Sequence, residues 1–251
     1  MSFLPIASIF TDIPEAIVVF FHDLGLGWGP AIVALTFTVR LAILPLSLKQ
    51  IKSMRAMQAL QPQLKAIQAK HKDDKQRQQQ EMMRFYQENE INPLASCFPL
   101  LLQLPVFIAL YYMLKGDNFQ DDVLESPPIG WLGIDSLIAP PEGTTTIVLI
   151  VLFIVTQLGA GLAMAARGQS MEGPQKYIIF GLPFLFAPFV ASFEAGLSVY
   201  WISTNIWTLG QQQFVHYLLG PMKVPTAEEI EAAKPPPPPP RKKKKKSGRQ
   251  R

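Results

Sequence analysis

The chain has 251 residues, 49% of them hydrophobic, and a formal net charge of +4. The hydrophobic residues are gathered in long runs instead of being spread at the spacing of a soluble core, which is typical of a polytopic membrane protein and argues against a soluble globular fold. The single cysteine, Cys97, excludes an intrachain disulfide. Because no lysine or arginine precedes Arg40, we expect no cleaved signal peptide.

The chain opens with a moderately apolar segment and a first long apolar run. In residues 1–26, an apolar face between Ile17 and Leu24 predicts a short interfacial helix on the outer face of the membrane, with a partial span as the alternative. Residues 27–48 are long enough to cross a bilayer and contain one charge, Arg40. A cation inside a span costs roughly 2.5–3.5 kcal/mol on insertion scales, so Arg40 requires an acidic partner, a water-filled cavity or an anionic ligand.

Residues 49–92 are polar and basic, unlike the apolar runs on either side of them. They carry nine lysines and arginines, many glutamines, and apolar residues three or four positions apart, which predicts a cytoplasmic helical hairpin. We place its turn at 71–74 and expect Pro62 to kink its first arm. The other predicted segments are a second transmembrane helix at 93–115, an outer loop at 116–143, a third transmembrane helix at 144–166, a cytoplasmic link at 167–176, a fourth and a fifth transmembrane helix at 177–193 and 197–219, and a disordered basic cytoplasmic tail at 220–251. The sequence therefore predicts an all-α polytopic membrane protein with five transmembrane helices.

The orientation of these spans follows from the positions of the 23 lysines and arginines. Residues 1–39 and the 116–143 loop contain none, whereas the hairpin, the 167–176 link and the tail hold nearly all of them. Cytoplasmic segments of membrane proteins are enriched in these cations. We therefore expect the N-terminus outside and the C-terminus in the cytoplasm.

The distribution of reactive side chains disfavours catalytic and metal sites. His22, His71 and His216 fall in the outer segment, in the hairpin turn and at the end of the last span, so they cannot converge. The sequence has no clustered metal ligands, phosphate-binding loop, nucleophile elbow or HExxH motif. We therefore expect no enzyme activity, no catalytic residue, no cofactor and no metal.

The predicted spans also lack acidic residues, which bears on Arg40. Glu194 is the only acid near a span, and it lies at the outer turn, too far from Arg40 for a direct pair. Ion and solute carriers usually hold several intramembrane acids or broken-helix repeats. We therefore favour a water-filled cavity at Arg40 that opens to the cytoplasm. The alternative is a small channel or carrier that uses Arg40 as an intramembrane anion site.

Polar residues on the spans, at a depth near that of Arg40, would line this cavity. They are Thr36, Thr38, Gln103, Thr156, Gln157, Ser203, Thr204 and Asn205. The alternative for each is a hydrogen bond between helices that serves packing only. The basic tail also has two interpretations, because its charges can bind either anionic lipid or RNA phosphate. Those charges are Arg241, Lys242, Lys243, Lys244, Lys245 and Lys246.

Three stretches of the chain carry a family resemblance. They are TFTVRLAILPLSLKQ (36–50), LQPQLKAIQAKHKDDKQRQQQEMMRFYQENEINPLASCFPLLLQLPVFIALYYML (60–114) and GLSVYWISTNIWTLGQQQ (196–213). Together they resemble the YidC-type membrane protein insertases over roughly residues 28–218. The resemblance implies five core helices that enclose a hydrophilic groove, with the cytoplasmic hairpin after the first. We expect a short member without the large extra-cytoplasmic domain of longer ones and without the lipobox cysteine of many shorter ones.

The resemblance also implies roles for single residues. The groove arginine of the family falls on Arg40, and its first-span threonine falls on Thr36, one helical turn earlier. The aromatic pair of the last span falls on Tyr200 and Trp201, and a groove glutamine of the third span corresponds to Gln157.

The function implied by the resemblance is that of an insertase and chaperone of the bacterial plasma membrane, which acts without nucleotide hydrolysis. The hydrophilic tail of a nascent protein would enter the groove, where Arg40 attracts its acids, and its transmembrane helix would leave along an apolar, lipid-facing flank. That flank comprises Leu102, Val106, Phe107, Phe184 and Phe189. The implied partners are nascent membrane proteins, the lipid bilayer, the ribosome through the basic tail, and the Sec translocon with the targeting machinery.

Overall fold

The computed structural model describes residues 5–89, 98–166 and 174–220, and throughout this part of the chain the fold is all-helical. The predicted all-α class is confirmed. The helices are α1 (Pro5–Phe21), which runs into a π-helical turn (His22–Leu26), α2 (Trp28–Ala42), α3 (Leu44–Ala59), α4 (Gln61–Lys70), α5 (Lys75–Glu88), α6 (Phe98–Leu114), α7 (Asp117–Glu125), α8 (Gly143–Ala166), α9 (Pro174–Val190) and α10 (Ala195–Leu219).

Two of these helical regions have the length and apolar character of a membrane span. Within the described residues, the stretch Gly143–Ala163 in α8 is by itself long and apolar enough to cross a membrane. The pair Trp28–Ala42 and Leu44–Ile51 is long and apolar enough only when both helices are taken as one bent span, with an angle of 58° between them. Shorter apolar stretches lie at Leu102–Leu114 in α6 and Phe180–Val190 in α9. The count of five spans therefore stays a prediction.

Prolines divide the region from α2 to α4. Pro45 lies in the first turn of α3, just after the bend, and Pro62 lies in the first turn of α4, just after the break at Leu60. Proline has no N–H to donate, and its ring clashes with the carbonyl of the preceding turn, so a helix ends or bends before it. The predicted kink at Pro62 lies next to the boundary at Leu60 that separates α3 from α4. The predicted boundary between span and hairpin at residues 48 and 49 lies inside α3, which continues to Ala59.

The helices α4 and α5 form a compact antiparallel pair. They pack against each other across the segment 71–74. The side chain of Gln78 donates to the backbone oxygen of Gln68 at 2.9 Å. At the start of α5, the Asp74 carboxylate accepts from the backbone N–H of Arg77 at 2.9 Å, which is a standard N-cap contact.

The buried core gathers at one end of the bundle. It is formed by the first half of α2, the second half of α6 and the first parts of α8 and α10, and it includes Ile32, Leu35, Leu110, Leu114, Phe153 and Leu197. The opposite parts of α2 and α3 expose Leu41 and Leu46, and α10 exposes Ile206 at its middle and Phe214 in its second half, where Val215 is buried. In the predicted orientation, the packed end is the outer one.

The segment 116–143 is a structured cap on this packed end instead of the predicted plain loop. Its helix α7 buries Phe119 and Val123, one turn apart, and keeps its acids at the surface. Farther along, the backbone oxygens of Leu137 and Ala139 accept from Gly196 and Ala195 at 2.8 and 2.9 Å. These two bonds satisfy N–H groups in the first turn of α10, which have no partner inside the helix.

A second set of contacts joins the cap to α2. The indole nitrogen of Trp28 donates to the backbone oxygen of Ser126 at 2.9 Å, and the ring stacks on His22 with 3.8 Å between centroids. The Trp131 ring packs against Gly29, where any side chain would collide with it. The cap therefore fixes the outer end of α2 as well as that of α10.

Candidate functional site

Arg40 lies in the last turn of α2, one turn past Thr36, the last buried residue of that helix. Thr36 is fully buried, and its hydroxyl donates to the backbone oxygen of Ile32 at 2.9 Å. Arg40 itself is partly buried. The two residues share a helix face, as their spacing predicts, but the threonine hydroxyl bonds within its own helix.

Arg40 has a neutral ligand on a neighbouring helix. Its Nη2 donates to Oε1 of Gln103 in α6 at 3.0 Å, and Nε2 of Gln103 donates to the hydroxyl of Tyr200 in α10. The Arg40–Gln103–Tyr200 chain therefore joins three helices through one amide. Gln103 was predicted only as a lining residue, and its direct bonds to Arg40 and Tyr200 were not anticipated.

Arg40 takes part in none of the ion pairs found among the described residues. The acid nearest to a span, Glu194, is 5% exposed and lies 3.5 Å from Nζ of Lys115, at the outer end of the bundle. The same ammonium group lies 4.9 Å from the centre of the Tyr111 ring. The positive charge of Arg40 is therefore hydrogen-bonded without being neutralised by a described acid.

A separate polar contact joins α8 and α10. Nδ2 of Asn205 donates to Oγ1 of Thr156 at 3.2 Å, and Asn205 is buried. Ser203 is also buried, and its hydroxyl donates to the backbone oxygen of Val199 at 2.7 Å. These contacts match the packing alternative for Thr156, Ser203 and Asn205, because their polar groups are satisfied between or within helices.

Thr38, Thr204 and Gln157 complete the predicted polar set. The exposed Thr38 donates to the backbone oxygen of Ala34 at 2.8 Å, and Thr204 is buried on α10. Oε1 of Gln157 is buried, and it accepts no hydrogen bond from the described residues. Gln157 thus lies outside the Arg40–Gln103–Tyr200 chain, and the glutamine that contacts Arg40 belongs to α6.

The predicted aromatic pair divides between two environments. Tyr200 is 2% exposed and bonds to Gln103. Trp201 packs edge-on against Phe107, Phe153 and Phe186, with ring centroids 4.9–5.5 Å apart. Successive residues of an α-helix point about 100° apart, which allows the two rings to meet different neighbours. Tyr200 joins the polar chain, and Trp201 joins an aromatic cluster of α6, α8 and α9.

The predicted flank is exposed on α9 and partly covered on α6. Phe184 and Phe189 are 58% and 46% exposed. Val106 and Phe107 are half-buried against the core, and Leu102 is half-buried near the start of the described α6 side chains. The predicted basic contacts at 241–246 lie outside the described residues.

Comparison with known proteins places this arrangement in a family. A family model described as "60Kd inner membrane protein" matches residues 19–220. A relative from Streptomyces avermitilis named "Membrane protein insertase YidC" is 37% identical over 251 aligned residues, which cover 84% of this chain and 59% of the relative. A relative of the same name from Francisella tularensis subsp. novicida is 32% identical over 84% of this chain and 36% of its own length.

A solved structure gives the same result at the level of the fold. It is described as "Active YidC insertase crystal structure with the first transmembrane domain resolved", and it aligns with a TM-score of 0.64 and 26% identity over 83% of this chain. The aligned part is 46% of that structure's chain. This chain therefore spans between about a third and three-fifths of the length of these relatives.

Proposed function

The chain belongs to the 60Kd inner membrane protein family of YidC-type insertases, and on that premise we propose that it is a membrane protein insertase and chaperone. In this proposal, it moves hydrophilic tails of nascent membrane proteins through a groove open to the cytoplasm and releases their transmembrane helices into the bilayer. The observation that carries the proposal is the un-neutralised charge of Arg40 beside a neutral amide, between three helices of an apolar bundle.

The charge of Arg40 suits a transient receptor for acidic residues. A guanidinium binds a carboxylate through two parallel hydrogen bonds, which are shorter and about twice as strong as bonds between neutral groups. Since Arg40 has only Gln103 as its described ligand, the carboxylate of a passing tail has no internal acid to displace. The tail is thus held near the middle of its path and can move on.

The uneven packing of the bundle supports entry from the cytoplasm. The core and the cap pack the end assigned to the outside, whereas none of residues 37–51, which lead from Thr36 towards the other end, is buried. A tail that enters from the cytoplasm reaches Arg40 before it meets the closed end. Its remaining path through apolar surroundings is then shorter than the full bilayer.

Release of the substrate helix uses the apolar surface of α9. Phe184, Leu185 and Phe189 are exposed there, and they offer a surface as apolar as lipid. Transfer of apolar surface out of water is favourable by itself. In this proposal that transfer drives insertion, and no catalytic residue, cofactor, metal or nucleotide hydrolysis takes part.

The family and its named relatives support a location in a bacterial inner membrane. The distribution of lysine and arginine supports an outer N-terminus and a cytoplasmic C-terminus. The basic tail at 241–246 would then bind the ribosome through rRNA phosphates, and the α4–α5 pair would meet the Sec translocon or targeting proteins.

Reconstitution tests the proposal directly. Purified protein in liposomes is expected to insert a short single-span substrate, and Arg40→Ala is expected to impair a substrate with an acidic tail more than a matched substrate with a neutral tail. Ser192→Ala, after the end of α9, is the control, because the exposed Ser192 hydroxyl donates only to the backbone oxygen of Pro188. Anion flux without insertion would contradict the proposal and favour a small channel or carrier with Arg40 as its anion site.

A further inference from the structure

Gln103 lies between Arg40 and Tyr200 and uses both ends of its amide. Its Oε1 accepts from Nη2 of Arg40 at 3.0 Å, and its Nε2 donates to the Tyr200 hydroxyl. A guanidinium carries only donors, so the reverse orientation of the amide would place two donors face to face. The donor-only guanidinium therefore turns Oε1 towards Arg40, and the Tyr200 hydroxyl accepts from the Nε2 on the other side of the amide.

Because the Gln103 amide is neutral, it binds the Arg40 guanidinium more weakly than a carboxylate does. The amide oxygen satisfies one guanidinium donor and leaves the positive charge in place. A carboxylate forms charge-assisted bonds to the same donors and so displaces the amide. Tyr200 is 2% exposed and fixed in the core, so it remains a partner for the amide after the exchange.

We propose that Gln103 is a placeholder ligand of Arg40. Between substrates its amide oxygen occupies the guanidinium, a substrate carboxylate displaces it, and its return helps to release the bound tail. Gln103 and Tyr200 are positioning residues in this scheme, since both act through Arg40. The inference rests on the proposed insertase function and adds a release step to it.

The first test changes the charge of the placeholder and keeps its shape. Gln103→Glu places a carboxylate beside Arg40 within the chain, so the guanidinium becomes occupied by an ion pair. In proteoliposomes, we expect the insertion rate of an acidic-tailed single-span substrate to fall about tenfold, equivalent to about 1.4 kcal/mol. A matched neutral-tailed substrate is expected to keep the wild-type rate. Asn118→Asp adds the same charge on the exposed surface of α7 in the outer cap, about three helical turns of α2 away from Arg40, and is expected to change neither rate.

The second test removes the placeholder without adding a charge. Gln103→Met has a similar volume and no amide, so a carboxylate at Arg40 has no internal competitor. A fluorescent acidic tail peptide is expected to dissociate more slowly from this variant than from the wild type, while a neutral peptide is unaffected. If Gln103→Met instead abolishes binding of the acidic peptide as Arg40→Ala does, Gln103 is required to hold Arg40 and the placeholder role is refuted.

The outcomes separate this inference from the proposed function. Equal losses for acidic and neutral substrates in Gln103→Glu would indicate a structural role and overturn the inference. A Gln103→Glu rate equal to wild type, with Arg40→Ala impaired, would also overturn it and leave the insertase function standing. Wild-type liposomes that insert neither substrate would refute the function itself.

Discussion

Replacement of Gly29 with alanine tests the packing that closes the outer end of the bundle. Gly29 lies in the first turn of α2, and a Cβ atom at this position would lie 2.4 Å from Cγ and 2.5 Å from Cδ2 of Trp131. Ordinary contacts of a Cβ begin near 3.4 Å. The indole must therefore withdraw by about 1 Å from a closely packed surface.

The size of the effect follows from two opposing contributions. Overpacking of a packed site costs about 1–3 kcal/mol. Alanine is favoured over glycine in a helix by up to about 1 kcal/mol. Because the collision is with Cβ and Cγ of Trp131, at the base of a side chain that cannot swing aside, we take the upper part of the overpacking range, about 2–3 kcal/mol. After a helix-propensity gain of about 1 kcal/mol, the net loss is about 1–2 kcal/mol, which in a chain of this size lowers the melting temperature by roughly 2–8 °C.

Thermal unfolding of the purified protein in detergent micelles, followed by tryptophan fluorescence, measures this change. The matched control is Gly210→Ala in the interior of α10, where a Cβ would meet nothing within 4 Å. This control is expected to raise the melting temperature slightly through helix propensity alone. A Gly29→Ala variant as stable as Gly210→Ala would refute the packing of Trp131 on α2.

Three further predictions concern the outer segment, the hairpin and the tail. Burial, followed by repulsion from Asp122 and Asp12, raises the pKa of Glu15 above its ordinary value of 4.5, so loss of the proton destabilises the fold as the pH rises through the raised pKa. Glu15→Gln should therefore raise the melting temperature at pH 7 and leave it unchanged at a pH below 4.5. An equal gain at both pH values would contradict this. Asp74→Ala removes the N-cap of α5 and should cost about 0.5–2 kcal/mol, measured as faster hydrogen exchange in its first turn, whereas Asp73→Ala in the same turn should have little effect. Deletion of residues 235–251 should weaken salt-sensitive ribosome binding with the melting temperature unchanged, and unaltered ribosome pelleting would contradict the proposed role of the tail.

The depth of the Arg40 site can be obtained from the sequence, but its partner cannot. Arg40 lies twelve residues after Trp28, and Gln103 lies twelve residues before Lys115, so both are about 18 Å from the outer ends of their helices. Thr156 and Asn205 are also polar residues within apolar helices. Only the rotation of each helix about its axis decides which of them faces Arg40, and packing against neighbours sets that rotation.

The aromatic pair and the outer cap are two further features that the sequence did not specify. Helix geometry turns Tyr200 and Trp201 about 100° apart, but the packing of neighbouring helices decides that one ring meets Gln103 and the other an aromatic cluster. The helix α7 is only nine residues long and rich in acids, and Phe119 and Val123 are its buried contacts. A helix of this length is marginal in isolation, because its stability comes from burial of its apolar face against other helices.

The sequence by itself determined the helical class, the family and the costly charge at Arg40, because these depend on composition, on long apolar runs and on local motifs. It also determined that no acid in the predicted spans neutralises Arg40. The tertiary structure decided that Gln103 is the ligand of Arg40, that the Tyr200 hydroxyl accepts from the same amide, and that the segment after α6 closes the packed end. These features join residues far apart in the chain, and they depend on how side chains of separate helices fill shared space, which the order of residues within one helix does not specify.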